Sequence, residues 1–182
     1  MSRNGFTLSL ILLVVAFALD RIHKFIQVSW DCVAIGQQIC VDAYGTNLSD
    51  SMLGWRGGEG IEVIPGLFSY VLVWNTGISY GLLGSVPTWA LGVLMAVAIV
   101  ALAIWWWRSD MPLVRAGLAL CIGGALSNAL DRLLYGAVAD FFSVHWFPYV
   151  FNVADAMITA GVLLLILDVL GIGRPKAPST GG

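Results

Sequence analysis

The sequence predicts an all-α integral membrane protein: four transmembrane helices, with a small extracytoplasmic β-sheet between helices 1 and 2. Three observations predict it. Of 182 residues, 59% are hydrophobic and only 11% charged, with a mean hydropathy of +0.87, whereas a soluble domain carries about 25% charged residues. Four stretches at about 6–28, 88–107, 113–134 and 152–170 come close to the ~20 apolar residues that a spanning helix needs. Between the first two lies Ile61-Glu-Val-Ile-Pro-Gly-Leu-Phe-Ser-Tyr-Val-Leu-Val-Trp74, whose β-branched and aromatic residues around a Pro-Gly turn read as short strands resting on the membrane surface.

The first stretch also fits a signal peptide, since Arg3 precedes an apolar run ending in Ala16-Phe17-Ala18, an A-x-A match. A retained helix is the preferred reading, because cleavage there would discard the run that leads into Asp20, Arg21 and Lys24. Residues 31–60 are rich in Gly, Ser, Asp and Asn and read as an irregular excursion. Residues 29–87 together form the outer loop and β element, and 135–151 a short connection. One membrane domain therefore covers residues 1–172, with a flexible tail at 173–182. No internal repeat is visible.

Orientation follows from the basic residues in the short loops. Arg3, Arg108, Arg115, Arg174 and Lys176 share one side if the helices alternate, so that side and both termini are cytoplasmic. Trp105-Trp106-Trp107 falls at that interface, as an aromatic belt would. The opposite side carries Asp31, Asp42, Asp50, Glu59 and Glu62 against Arg56. A formal net charge of -2 leaves no nucleic-acid footprint. Cys32 and Cys40 share the outer loop, where an oxidising compartment permits a disulfide. Cys121 reads as a small buried hydrophobe. No Cys/His cluster has metal-ligand spacing, so no metal site is expected.

The informative residues are polar ones within apolar segments, since an ionisable group at membrane depth is costly and is a functional candidate by default. Asp20, Arg21 and Lys24 lie at the outer end of helix 1, and Asn128, Asp131 and Arg132 at the outer end of helix 3. Asp140 follows on the outer connection, Asn152 and Asp155 open helix 4, and Asn75 precedes helix 2. The i,i+3 and i,i+4 spacings of Asn128, Asp131 and Arg132 put all three on one helical face. Asn152 has the position of an N-cap, with Asp155 near the third helical residue, where the dipole favours a negative charge. Caps and ion pairs that fasten a bundle would use the same residue types one at a time. The whole set, gathered in one layer, points to a site.

Five ordered blocks carry a family resemblance. Asp20-Arg-Ile-His-Lys24, Asn75-Thr-Gly-Ile-Ser-Tyr-Gly81, Gly123-Gly-Ala-Leu-Ser-Asn-Ala-Leu-Asp-Arg132, Val138-Ala-Asp-Phe141 and Phe151-Asn-Val-Ala-Asp155 resemble the signature blocks of lipoprotein signal peptidase (signal peptidase II). The resemblance spans about residues 6 to 170. Ser127 stands where the family usually has Gly, Tyr80 where it usually has Phe, and the 31–60 excursion is longer than in many members.

The resemblance implies an aspartic endopeptidase of the bacterial inner membrane. It would cut the signal peptide from diacylglyceryl-modified prolipoproteins before the lipidated cysteine, with its active site near the outer face. The catalytic pair falls on Asp140 and Asp155. Asn128 and Arg132 match the substrate-contacting pair, Asn75, Gly77 and Asn152 border or orient the site, and Asp20, Lys24 and Asp131 hold the helices together. No cofactor is implied. The expected partners are the lipidated prolipoprotein and membrane lipids, with no nucleic acid, and the chain is expected to be a monomer.

Gly77-Ile-Ser-Tyr-Gly81 also matches the G-x-S-x-G nucleophile elbow, which belongs to a strand-turn-helix unit of a soluble α/β sheet. Neither the composition nor the family blocks favour that role for Ser79, and His23 and His145 have no counterpart in the blocks, so both read as interfacial residues. The alternative is a transporter or proton relay, since intramembrane Asp/Arg/Asn sets also mark ion paths. A transport path needs polar groups through the midplane. Here they stop at the outer third, apart from Asp168 near the inner end of helix 4, which reads as a capping or snorkelling residue.

Overall fold

The computed structural model describes residues 3–34, 61–75 and 88–172. The elements run α1 (Arg3–Ala34), β1 (Ile61–Ile64), β2 (Phe68–Asn75), α2 (Thr88–Arg108), α3 (Pro112–Tyr135), β3 (Val138–Val144), β4 (Val150–Phe151) and α4 (Val153–Val169). The protein is thus mostly helical with one small antiparallel sheet. Among the described residues three segments are long and apolar enough to cross a membrane: Gly5–Ile26, Trp89–Arg108 and Pro112–Tyr135. The fourth helix, α4, has 17 residues, about 25 Å at 1.5 Å per residue, against a hydrocarbon core of about 30 Å. α1 runs past the expected end near residue 28 to Ala34. Nothing between Ile26 and Ala34 stops it, since the next glycine is Gly36.

α3 is the central helix, packed against α4, α1 and α2. Pro112 opens it, where the missing N–H costs nothing. Gly136 closes it at φ 71°, donating its N–H to Arg132 O at 3.0 Å; the left-handed conformation suits a residue with no Cβ. Consecutive glycines set the packing on two sides. A Cβ on Gly123 would lie 2.5 Å from Leu13 O of α1, and one on Gly124 would lie 2.5 Å from Ala154 O of α4. Gly117 meets Gly161 in the same way, at 2.7 Å. Because the clash at Gly124 is with backbone, Gly124→Ala must push α4 away from α3. It is expected to cost about 1–3 kcal/mol, read as a lower unfolding temperature in detergent; an unchanged temperature would contradict this packing.

An apolar core of Trp106, Val114, Leu118, Ala119 and Ile122, flanked by Phe6 and Leu13, joins α1, α2 and α3. At its edge Trp106 Nε1 donates to Ser9 Oγ at 3.1 Å. The other face of α2 is apolar and exposed at Trp89, Leu94, Val97 and Val100, as a lipid-facing surface would be. Asp168 is buried in the last turn of α4.

The sheet has the order β1-β2-β3-β4, antiparallel throughout. Here the structure corrects the expectation of a sheet confined between helices 1 and 2. Half of its strands come from the α3–α4 connection, because Val138-Ala-Asp-Phe-Phe-Ser-Val144 is β-branched and aromatic and pairs along β2 from Phe68↔Val144 to Asn75↔Val138. The register slips between Tyr70↔Phe142 and Val73↔Asp140. Val71 and Leu72 therefore oppose Phe141 alone, a β-bulge next to Asp140.

Candidate active site

The expected site residues within the described segments converge where α1, α3, the sheet and the start of α4 meet. Asp20 and Lys24 come from α1, Asn128, Asp131 and Arg132 from α3, and Asn75 from the end of β2. Asp140 comes from β3, Asn152 from the α4 cap and Asp155 from its first turn. Gly77, Ser79, Cys40, Arg174 and Lys176 lie outside the described residues.

The base of the cluster is a buried ionic network. Lys24, 2% exposed, places Nζ 2.7 Å from Asp20 Oδ2 and 2.6 Å from Asp131 Oδ2, and donates to Asn128 Oδ1 at 2.9 Å. Asp20 also accepts from Ser127 Oγ at 2.6 Å and from the Ala154 N–H at 2.8 Å, so a carboxylate of α1 sits at the positive end of α4. Asp131 pairs with Arg21 and accepts from the Ala139 N–H at 3.3 Å. Each carboxylate oxygen of Asp20 and Asp131 has a partner, and Lys24 Nζ has three, which a buried ion network needs if it is not to destabilise the fold.

On this base stand the two other carboxylates. Asp140, 1% exposed, accepts from Asn75 Nδ2 at 3.0 Å on one oxygen and from Asn152 Nδ2 at 2.6 Å on the other. Asp155 accepts from Asn128 Nδ2 at 2.9 Å and from the Asn152 N–H at 3.2 Å, while its own N–H donates to Asn152 Oδ1 at 2.9 Å. This is a complete capping box, and it makes Asn152 the residue that contacts both carboxyl groups. Asn152 Nδ2 is further held by Asn128 Oδ1 at 3.1 Å and Ala139 O at 3.3 Å. Burial pushes the Asp140 carboxyl up from 3.8 to about 7; the Asn75 hydrogen bond opposes this, the Asp155 charge adds to it, and Asn152 and Lys24 oppose it.

Arg132 differs from its neighbours. It lies within electrostatic reach of Asp131, Asp140 and Asp155, yet its Nε and Nη1 are buried with no hydrogen-bond partner among the described residues. Two N–H donors of a rigid fork thus stand unused beside the carboxyl pair. Four carboxylates, Asp20, Asp131, Asp140 and Asp155, face three cations, Arg21, Lys24 and Arg132, so one proton held within the group makes it neutral.

Several members were not singled out in the sequence for the places they hold. Arg21 is named there with Asp20 and Lys24 in the polar layer, without a partner, and reaches Asp131; Ser127 reads as a departure from Gly but donates to Asp20. Ser127 had a signal, a hydroxyl in an apolar helix one residue before Asn128. His23 is half-buried and bonded to Tyr70 Oη at 3.0 Å, while the exposed His145 meets Ser69 Oγ at 3.1 Å.

A family model described as signal peptidase (SPase) II matches residues 11–171. The lipoprotein signal peptidase of Rhodopseudomonas palustris (strain TIE-1) is 50% identical over 134 residues, 66% of this chain and 80% of that protein. That of Methylorubrum extorquens (strain PA1) is 49% identical over 117 residues, 61% of this chain and 68% of that protein. Two solved structures described as bacterial membrane enzymes, determined in meso at 2.3 and 1.9 Å, share the fold. Their TM-scores are 0.68 and 0.67 at 23% and 24% identity, covering 97% and 90% of this chain and 95% and 93% of theirs. The transporter alternative receives no support from these relatives. By the family match over residues 11–171 and by half-identity to curated relatives, the chain belongs to the signal peptidase II family.

Proposed function

We propose that this protein is a bacterial membrane aspartic endopeptidase that releases the signal peptide of diacylglyceryl-modified prolipoproteins, cutting before the lipidated cysteine. The observation that carries this reading is the pair Asp140 and Asp155, joined through Asn152, with the unused Arg132 donors beside them. Asp155, in the first turn of α4, is the ionised partner and takes a proton from the attacking water. Asp140, whose value of about 7 keeps it largely protonated below neutrality, donates to the scissile carbonyl oxygen as the tetrahedral intermediate forms. As the intermediate collapses, the proton on Asp155 passes to the leaving amine and Asp140 takes back a proton from a hydroxyl of the intermediate, which restores the pair. Arg132 and Asn128 hold peptide carbonyls of the substrate, and Asn75 orients the Asp140 carboxyl. No cofactor enters these steps. Incubating purified protein with a lipidated prolipoprotein should release a signal peptide visible on a gel, and an intact substrate after long incubation would refute the activity.

The same reading takes α4 as the fourth span, the site as lying near the outer face, both termini as cytoplasmic and the working unit as a monomer. Basic residues at Arg3, Arg108 and Arg115 support the orientation. A reporter active only outside the membrane should give no signal when fused to Gly182 and a strong one when inserted near Asn47; the reverse pattern would put the site on the cytoplasmic face.

A further inference from the structure

The backbone ladder that should fix Asp140 is interrupted beside it. Val71 and Leu72 of β2 oppose Phe141 alone, between the pairs Tyr70↔Phe142 and Val73↔Asp140. A bulge of this kind disrupts local pairing and bends the strand; the ladder holds Asp140 opposite Val73 and Ala139 opposite Trp74, but breaks immediately C-terminal to Asp140, at Phe141. On the N-terminal side of Asp140 the ladder with β2 is reinforced by polar bonds: Ala139 is held by Asp131 through its N–H and by Asn152 through its carbonyl. On its C-terminal side the fastening is a ring cluster from α1 and β2. Phe141, fully buried, lies under the edge of the His23 ring at 5.0 Å and 88°, and under the stacked ring of Tyr70 at 5.7 Å and 26°. Phe142 packs on the same imidazole at 5.2 Å. His23 Nε2 and Tyr70 Oη share a hydrogen bond at 3.0 Å, which locks the helix to the strand across the bulge. His23 stands on α1 between Asp20 and Lys24, so the latch ties the ionic base of the site to the strand above it.

We propose that His23 is a positioning residue for Asp140, acting through Tyr70 and Phe141; the proposal rests on Asp140 being one of the reacting carboxylates. The contacts of His23 are with Tyr70, Phe141 and Phe142, and none of its hydrogen bonds among the described residues goes to Asp140 or Asp155. Its removal loosens the C-terminal side of Asp140 at Phe141, where the ladder is interrupted between Val73↔Asp140 and Tyr70↔Phe142, and a displacement of about 1 Å in a reacting group costs up to a hundredfold in rate.

The test is steady-state cleavage of a lipidated prolipoprotein by the full chain in detergent, with Asp140→Asn run in the same assay. His23→Ala should lower kcat by about tenfold or more with KM within about twofold of the parent, and the unfolding temperature should fall too little to leave protein unfolded at the assay temperature. His23→Gln, whose amide reaches toward Tyr70 Oη, should recover most of the loss. Tyr70→Phe keeps the ring stack and loses only the hydroxyl, so it supplies the test if His23→Ala fails to fold: its kcat should drop several-fold at unchanged KM. Parental kcat in His23→Ala or in Tyr70→Phe, where Asp140→Asn is inactive, overturns the inference. A loss confined to the folded fraction, with kcat per folded molecule unchanged, overturns it too. Retained activity in Asp140→Asn would instead overturn the aspartic reading on which the inference stands.

Discussion

Asp140→Asn and Asp155→Asn should each lower turnover of lipidated prolipoprotein by about a thousandfold or more, with the double variant little worse than either single one. On the proposed mechanism the two carboxyls work as a unit. One must accept a proton while the other gives one, and an amide does neither. Asn at either position keeps the size and part of the hydrogen bonding to Asn75, Asn128 and Asn152, so folding and substrate binding should persist. Multiplying losses in the double variant would indicate separate roles. The rate should show a bell-shaped pH dependence whose two values belong to the pair. Its alkaline limb should fall as pH rises through about 7, where burial of Asp140 sets the loss of the pair's shared proton. The sign for stability is the same: the folded value exceeds that of the unfolded chain, folding takes up a proton between them, and Asp140 removes stability as pH rises from 3.8 to about 7. Near-parental cleavage by both Asn variants, folded normally, would end the aspartic mechanism.

Lys24→Met should destabilise the fold by about 3–5 kcal/mol, because it leaves buried carboxylates without their shared cation. Asp131 retains Arg21, but Asp20 would keep only Ser127 Oγ and the Ala154 N–H. Adding Asp20→Asn to Lys24→Met should therefore restore part of the loss, since it removes the uncompensated charge. Thermal unfolding in detergent separates the outcomes. A Lys24→Met variant within about 1 kcal/mol of the parent would mean that the network contributes little net stability, a known fate of buried ion pairs replaced by apolar groups.

How much of this was legible in the sequence depended on contrast. Asp131 and Asn128 stood out because polar residues in an apolar helix are costly, and their i,i+3 spacing placed them on one face. Asn152 and Asp155 were readable as a helix start from local chemistry, and the capping box has that form. The partner of Arg21 and the roles of His23 and Tyr70 were not, because each partner lies far along the chain: Arg21 and Asp131 are 110 residues apart, and Tyr70 and His23 are 47 apart. Strand β3 was hidden for another reason. Seven residues of mixed apolar and aromatic character carry no periodicity that separates a strand from a connection, and pairing with β2, more than 60 residues away along the chain, decides it. The reach of α1 to Ala34 followed from the absence of a stop signal, where the expected end rested on hydropathy alone.

Among the described residues the second helix contributes no hydrogen bond or ion pair to the polar cluster, and it packs chiefly on α3. It carries exposed Trp89 near one end and exposed Trp105 and Trp107 near the other, sixteen residues from Trp89 to Trp105, or about 24 Å along the axis. Tryptophan settles at the boundary between hydrocarbon and headgroups, so α2 acts as a gauge of bilayer thickness. Because α2 packs on α3, which carries Asn128 and Arg132, the proposed function places the carboxyl pair at a depth set relative to these two bands of indole rings.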